Sequence, residues 1–124
     1  MGKRILVVDD EPDIREIARI SLQAIGGYDV IDASSGAEAL EVAASQRPDA
    51  ILLDVMMPGL DGPSTFARLQ QDDATRDIPV LVLTAKVGEA ARSRLAQTGV
   101  AAVLGKPFDP MQLADEVASV LGWA

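Results

Sequence analysis

The side chains best suited to chemistry in this chain stand where short apolar runs stop. Ile5-Leu6-Val7-Val8 gives way to Asp9-Asp10-Glu11, and Ile51-Leu52-Leu53 ends at Asp54, followed by Val55-Met56-Met57-Pro58-Gly59. The run Val80 to Leu83 ends at Thr84, and Ala101 to Leu104 leads into Gly105-Lys106-Pro107. One acid after a strand is usually a cap or turn former. Three carboxylates, a hydroxyl and an ammonium, all placed at strand ends, call for a common cause. Two carboxylates held about 4 Å apart at an effective dielectric near 20 repel by roughly 4 kcal/mol, so Asp9, Asp10 and Asp54 need positive charge among them. Lys106 brings one such charge and a divalent cation brings two.

What the chain lacks narrows the chemistry further. It has no histidine and no cysteine, which removes imidazole bases, thiolate nucleophiles, disulfides and nitrogen or sulfur metal ligands. A metal here must be held by hard oxygen atoms, which select Mg²⁺ or Mn²⁺ over zinc. With Asp10, Asp54 and a loop carbonyl as ligands, positions stay free for water or a phosphoryl oxygen. Asp54 is then a nucleophile for in-line attack on phosphorus, with the cation and Lys106 neutralising the phosphoryl oxygens and Thr84 donating a hydrogen bond. The product is an aspartyl phosphate.

Such a constellation requires elements that bring four strand ends together. Pro12 suits the first turn of a helix on which Ile14, Ile17, Ala18, Leu22 and Ile25 recur at helical spacing before Gly26-Gly27. A second strand spans Tyr28 to Ala33, and Ser35 with Glu38 forms a capping box for a helix reaching Gln46. Asp61 caps a third helix from Pro63 to Gln71, and 71–78 reads as a polar loop. A weakly amphipathic Ala-rich helix follows over 88–98, with Arg92 and Arg94 facing solvent. Asp109-Pro110 reads as cap and first turn of a last helix bearing Leu113, Ala114, Val117 and Leu121, closed against the core by Met111 and Trp123.

Five strands alternating with five helices predict an α/β fold, a doubly wound five-stranded parallel sheet with helices on both faces. Of the few orders open to right-handed crossovers, 2-1-3-4-5, the flavodoxin-like (βα)5 arrangement, sets strands 1 and 3 side by side at the switch point. Asp9, Asp10 and Asp54 then line one crevice, with Thr84 and Lys106 on its other side. The 124 residues suit a single domain over 1–124 with no output domain. A hydrophobic fraction of 48% excludes disorder, while 3% aromatics imply an aliphatic core and leave little surface for stacking bases. The net charge of −8 argues against nucleic acid as a partner. No apolar run is long enough for a signal peptide or membrane span, so a cytoplasmic location with no membrane partner is expected.

Val-Val-Asp9-Asp10-Glu11-Pro12, Leu-Leu-Asp54-Val-Met-Met-Pro58-Gly59-Leu-Asp61-Gly62, Leu-Thr84-Ala85 and Lys106-Pro107-Phe108 occur in order across nearly the whole chain. Together they resemble the CheY-like response regulator receiver domains of two-component signalling. The resemblance implies that Asp54 accepts a phosphoryl group from a histidine of a histidine kinase or histidine phosphotransfer protein. It further implies that Asp10 and the Met56 carbonyl bind Mg²⁺ with Asp54, and that Asp9 acts through metal-bound water. Lys106 would pair with Asp54 and then with the phosphoryl oxygens, and Thr84 would move toward the phosphoryl group as part of a switch. A cis Lys106-Pro107 peptide is also implied.

The chain departs from that pattern at Val103, where an aromatic residue often serves the switch, and at Ala101 and Ala102, which are commonly polar or acidic. A downstream protein target, or a weak dimer of otherwise monomeric chains, would use the face of helix 4, strand 5 and helix 5. Met56 and Lys86 stand where residues tune phosphoryl lifetime, and neither is a general base. Met56 limiting water and Lys86 screening the phosphoryl group predict slow autodephosphorylation, in a phosphoacceptor that is not an enzyme in the ordinary sense. Three other readings compete. An aspartyl-phosphate phosphohydrolase needs a second Asp where Met56 stands, a flavodoxin-like cofactor binder needs glycines where the first loop is acidic, and a degenerate receiver serving only as an interaction module would not need the intact set.

Overall fold

A computed structural model of the chain describes residues 2–85 and 88–123. Strands and helices alternate throughout: β1 (Arg4–Val8), α1 (Pro12–Ala24), β2 (Asp29–Ala33), α2 (Gly36–Gln46), β3 (Ala50–Asp54), α3 (Gly62–Gln71), β4 (Val80–Thr84), α4 (Glu89–Ala96), β5 (Ala102–Gly105) and α5 (Leu113–Leu121). The strands form one parallel sheet in the order β2-β1-β3-β4-β5. This is the expected doubly wound arrangement, and none of the described helices is long and apolar enough to cross a membrane.

Strand alternation divides the core into two layers. Leu6, Val8, Ile51, Leu53, Val80 and Val82 pack with Ala39 and Ala43 of α2 and Phe66 and Leu69 of α3. Ile5, Val7, Ala50, Leu52, Leu81 and Leu83 pack with Ala18 and Leu22 of α1 and Leu113, Ala114 and Val117 of α5. Because both faces are covered, the central strands are apolar without a break over Ile5–Val8, Ala50–Leu53 and Val80–Leu83, and so they appear in the sequence as unbroken runs.

Side-chain caps fix the starts of α2 and α3. In α2, Ser35 accepts a hydrogen bond from the Glu38 N–H, and Glu38 Oε1 accepts from both the backbone and hydroxyl of Ser34. The capping box is therefore real, with its return bond moved one residue upstream. The Asp61 carboxylate accepts from Ser64 N at 2.8 Å and caps α3 as expected. The polar segment before β4 is more ordered than its composition suggests, for Thr75 is buried and donates to the Leu69 carbonyl at 2.7 Å.

Three expectations need correction. Asp109 does not cap α5: its carboxylate accepts from Met111 N at 2.9 Å and its carbonyl from Gln112 and Leu113, closing a separate turn before the helix begins at Leu113. Met111 lies on that turn and is 68% exposed, so it does not close the helix. Trp123 does pack inward, its ring edge-on to Tyr28 at a centroid distance of 5.5 Å. Arg92 is not simply solvent-facing either, since its Nη2 donates to the Val103 carbonyl at 2.9 Å and ties α4 to β5, whereas Arg94 is exposed. The helix has no buried residue of its own, which leaves that bond a larger share of the attachment.

Candidate functional site

The alternation that sorts the core also aims the site. Asp9 continues the file Ile5-Val7, Asp54 continues Ala50-Leu52, and Lys106 continues Ala102-Leu104, all on the face covered by α1 and α5. At the carboxyl ends of the strands these three side chains meet. Lys106 Nζ lies 3.0 Å from Asp9 Oδ2, 3.3 Å from Asp54 Oδ2 and 3.6 Å from Glu11 Oε1. The expected Lys106–Asp54 pair is present, but the shorter contact is with Asp9.

Asp9 and Asp54 are buried, whereas Asp10 is exposed. Both oxygens of Asp9 are engaged, Oδ1 by the Glu11 N–H at 2.9 Å and Oδ2 by Lys106. Asp54 is less well satisfied. Its Oδ1 accepts from Met56 N at 3.3 Å, while Oδ2 has the ammonium nearby as an ion pair but no aligned hydrogen bond. Burial pushes the Asp54 carboxyl above its ordinary range and the Asp9 charge adds to this, with Lys106 offsetting only part. Burial alone would lower Lys106, yet its hydrogen bond to Asp9 and the charges of Asp54 and Asp9 outweigh that and raise it. The ammonium therefore stays charged among acids that still carry an excess of negative charge.

That imbalance fits a divalent cation. One oxygen each from Asp9, Asp10 and Asp54 lies within 4.8 Å of the others. The donors are all hard oxygens, and the buried Asp54 Oδ2 has no hydrogen-bond partner, so the set matches Mg²⁺ or Mn²⁺. Asp9 is already committed to protein partners, which leaves Asp10 and Asp54 as the freer ligands.

The remaining expected residues fall in three places. Thr84 is fully buried at the end of β4, and its carbonyl accepts from Lys106 N at 2.9 Å. It belongs to the file of Val80 and Val82, the layer against which Val103 also packs. Met56 borders Asp54, with its side chain 62% exposed. Lys86 lies outside the described residues. The Lys106-Pro107 peptide is cis, as the resemblance implied.

Gly62 shows how closely the chain is drawn around Asp54. A Cβ there would sit 2.6 Å from the Asp54 carbonyl oxygen and 2.7 Å from Val55 Cα, while Gly62 N donates to the Val55 carbonyl at 3.0 Å. Only glycine lets α3 start against the end of β3.

One residue at the site was not singled out from the sequence. Arg15 Nη1 donates to the Asp9 carbonyl at 2.8 Å and Nε to Asp32 Oδ2 at 3.3 Å. The available signal was an arginine in the first turns of a helix that follows an acidic loop directly.

Comparison with known proteins agrees with the geometry. Residues 5–118 match the response regulator receiver domain family. The chain is 39% identical over 121 residues to the phosphate regulon transcriptional regulatory protein PhoB of Pseudomonas aeruginosa, covering 98% of this chain and 52% of that protein. It is 41% identical to the alkaline phosphatase synthesis transcriptional regulatory protein PhoP of Bacillus subtilis, with coverage of 98% and 49%. The chain thus spans about half the length of these curated relatives. Among solved structures, chemotaxis protein CheY4 of Vibrio cholerae superposes with a TM-score of 0.88 at 31% identity, covering 97% of this chain and 99% of that one. The N-terminal domain of a response regulator receiver protein from Methanoculleus marisnigri gives 0.76 at 40% identity, with 96% of each chain covered. The chain belongs to the response regulator receiver domain family, phosphoacceptor signalling modules that bind Mg²⁺ at an acidic pocket and interact with histidine kinases and downstream effectors.

Proposed function

We propose that Asp54 is the phosphoryl acceptor, and that the donor is a histidine of a histidine kinase or histidine phosphotransfer protein. The observation that carries this reading is the buried Asp54 Oδ2, without a hydrogen bond and beside Asp9, Asp10 and Lys106 at the crevice. An Asp54 oxygen attacks phosphorus in line as the bond to the imidazole nitrogen breaks, and the electron pair of that bond leaves with the imidazole. The reaction yields an aspartyl phosphate and a free histidine.

Asp10, Asp54 and the Met56 carbonyl hold a divalent cation in this reading, with Asp9 acting through water. When bound, the cation supplies positive charge to the phosphoryl oxygens. Lys106 moves its ion pair from Asp54 to a phosphoryl oxygen, and the Thr84 hydroxyl donates to another. Hydrolysis is slow, because the position two residues after the acceptor is Met56, which cannot orient a water as a base. The phosphorylated form acts through a downstream protein that reads the α4–β5–α5 face. We place this signalling in the cytoplasm, and the net charge of −8 keeps the receiver itself off phosphate backbones.

The test is incubation with acetyl phosphate and Mg²⁺ followed by intact-mass measurement. Wild type should gain one phosphoryl group, while Asp54→Asn or omission of Mg²⁺ should abolish the gain. A wild type that gains nothing, or an Asp54→Asn variant that gains as much, contradicts the proposal.

A further inference from the structure

Among the described residues, two cations border the acidic cluster, and they are attached to it differently. Lys106 sits on carboxylate oxygens. Arg15, whose side chain is 19% exposed, makes no hydrogen bond or ion pair to the Asp9, Asp10 and Asp54 carboxylates and instead holds backbone, donating from Nη1 to the Asp9 carbonyl at 2.8 Å. Its Nε reaches Asp32 Oδ2 on β2 at 3.3 Å. Asp9 N donates in turn to the Ala33 carbonyl at the end of the same strand. The Asp9 backbone is thus fastened to β2 on both sides, directly through its N–H and through Arg15 at its carbonyl.

That carbonyl belongs to the planar peptide joining Asp9 to Asp10, so fixing its direction fixes the plane from which the Asp10 side chain departs. Its other tie within the loop is the turn in which Asp9 Oδ1 accepts from the Glu11 N–H at 2.9 Å, for α1 begins with Glu11 as N-cap and has no side-chain cap. We infer that Arg15 is a positioning residue for the divalent cation, aiming the Asp10 carboxylate by clamping the Asp9–Asp10 peptide to Asp32 of β2. The inference rests on the reading of the acids as a cation site. It assigns the guanidinium a role opposite to that of its charge, which by itself repels a cation.

This opposition makes the test a matter of sign. Mn²⁺ binding is followed by loss of the free-ion electron paramagnetic resonance signal, with displacement by Mg²⁺, for wild type, Arg15→Ala, Arg15→Lys and Arg19→Ala. Arg19, one turn further along α1, pairs with Glu16, so its removal deletes the same charge without touching the Asp9 carbonyl. Removing a partner that orients a ligand typically costs about tenfold or more in metal affinity. Arg15→Ala should therefore weaken Mn²⁺ by roughly that factor, and Arg15→Lys should weaken it too although the charge is kept, since a single ammonium does not reproduce the guanidinium fork. Arg19→Ala should bind as well as wild type or better. Melting curves identify any variant that has lost its fold, and the conservative lysine variant carries the test if the alanine variant has. Tighter binding in Arg15→Ala, or wild-type affinity in Arg15→Lys, overturns the positioning role while leaving the cation site intact. Absence of saturable Mn²⁺ binding in wild type overturns the site and this role together.

Discussion

Strands β3 and β5 are separated by one strand in the same sheet, yet they are held very differently. Every residue of β3 from Ala50 to Asp54 is buried, whereas all four residues of β5 from Ala102 to Gly105 are only half-buried. The helices follow suit: α1, α2, α3 and α5 each bury residues, and α4 buries none. Asp54, the proposed acceptor, thus ends a fully buried strand, and buried Asp9 directly follows another closely packed one, where small displacements are costly. Lys106 and the α4–β5 edge belong to a less closely packed part of the sheet. A module that must hold a reactive carboxylate still, and also present a changeable surface, gains from this division, because local opening draws on the least stable segments.

The largest effect should come from truncating equivalent apolar groups in the two regions. Leu53→Ala, at a fully buried position in β3, should cost about 2–5 kcal/mol in chemical denaturation. Leu95→Ala in α4, where the side chain is half-buried, should cost well under half as much. Equal costs would remove the contrast.

Next in size is the charge stored at the site. Asp54 has a raised carboxyl pKa in the folded chain, so between its ordinary value and that raised value the folded state holds the proton more tightly than the unfolded one. The corresponding stability is present at low pH and is lost as pH rises through the folded pKa. Asp54→Asn removes this loss, and without divalent cation the variant should melt a few degrees above wild type at neutral pH, with the gap closing toward acid pH. Added Mg²⁺ should narrow the gap at neutral pH by stabilising wild type alone. A variant that melts lower at neutral pH would show that Asp54 is not strained by its surroundings.

The smallest effect concerns the edge itself. Arg92→Ala removes the bond to the Val103 carbonyl and should cost about 1 kcal/mol in global stability. Amide exchange should accelerate in α4 and β5 while that of β1 and β3 stays unchanged. Uniform acceleration across the sheet would place Arg92 in the common core rather than at a separable edge.

The well-packed region is also the region that the sequence made legible. Strands covered on both faces leave apolar runs with abrupt ends, so β1, β3 and β4 and the acids and threonine closing them stand out before any coordinates. The edge is harder to read. Asp109-Pro110 fits a turn as well as a helix start, and only the position of Leu113 in the core decides between them. Arg15 and Arg92 both act through backbone carbonyls that are remote along the chain or at the end of another element. A long flexible side chain that bonds a main-chain oxygen leaves no periodicity and no partner residue type to find. Thr75 is hidden for the same reason, because its hydroxyl is satisfied by the Leu69 carbonyl inside a segment of polar composition.

The central assignment is that Asp54, rather than either of its acidic neighbours, takes the phosphoryl group. Borohydride reduces an aspartyl phosphate to homoserine, which peptide sequencing by mass spectrometry locates to a single position. After treatment with acetyl phosphate, Mg²⁺ and borohydride, homoserine should appear at position 54 and disappear when Mg²⁺ is left out. Homoserine at position 9 or 10 instead, or its absence from position 54 in protein that carries phosphate, would contradict the assignment.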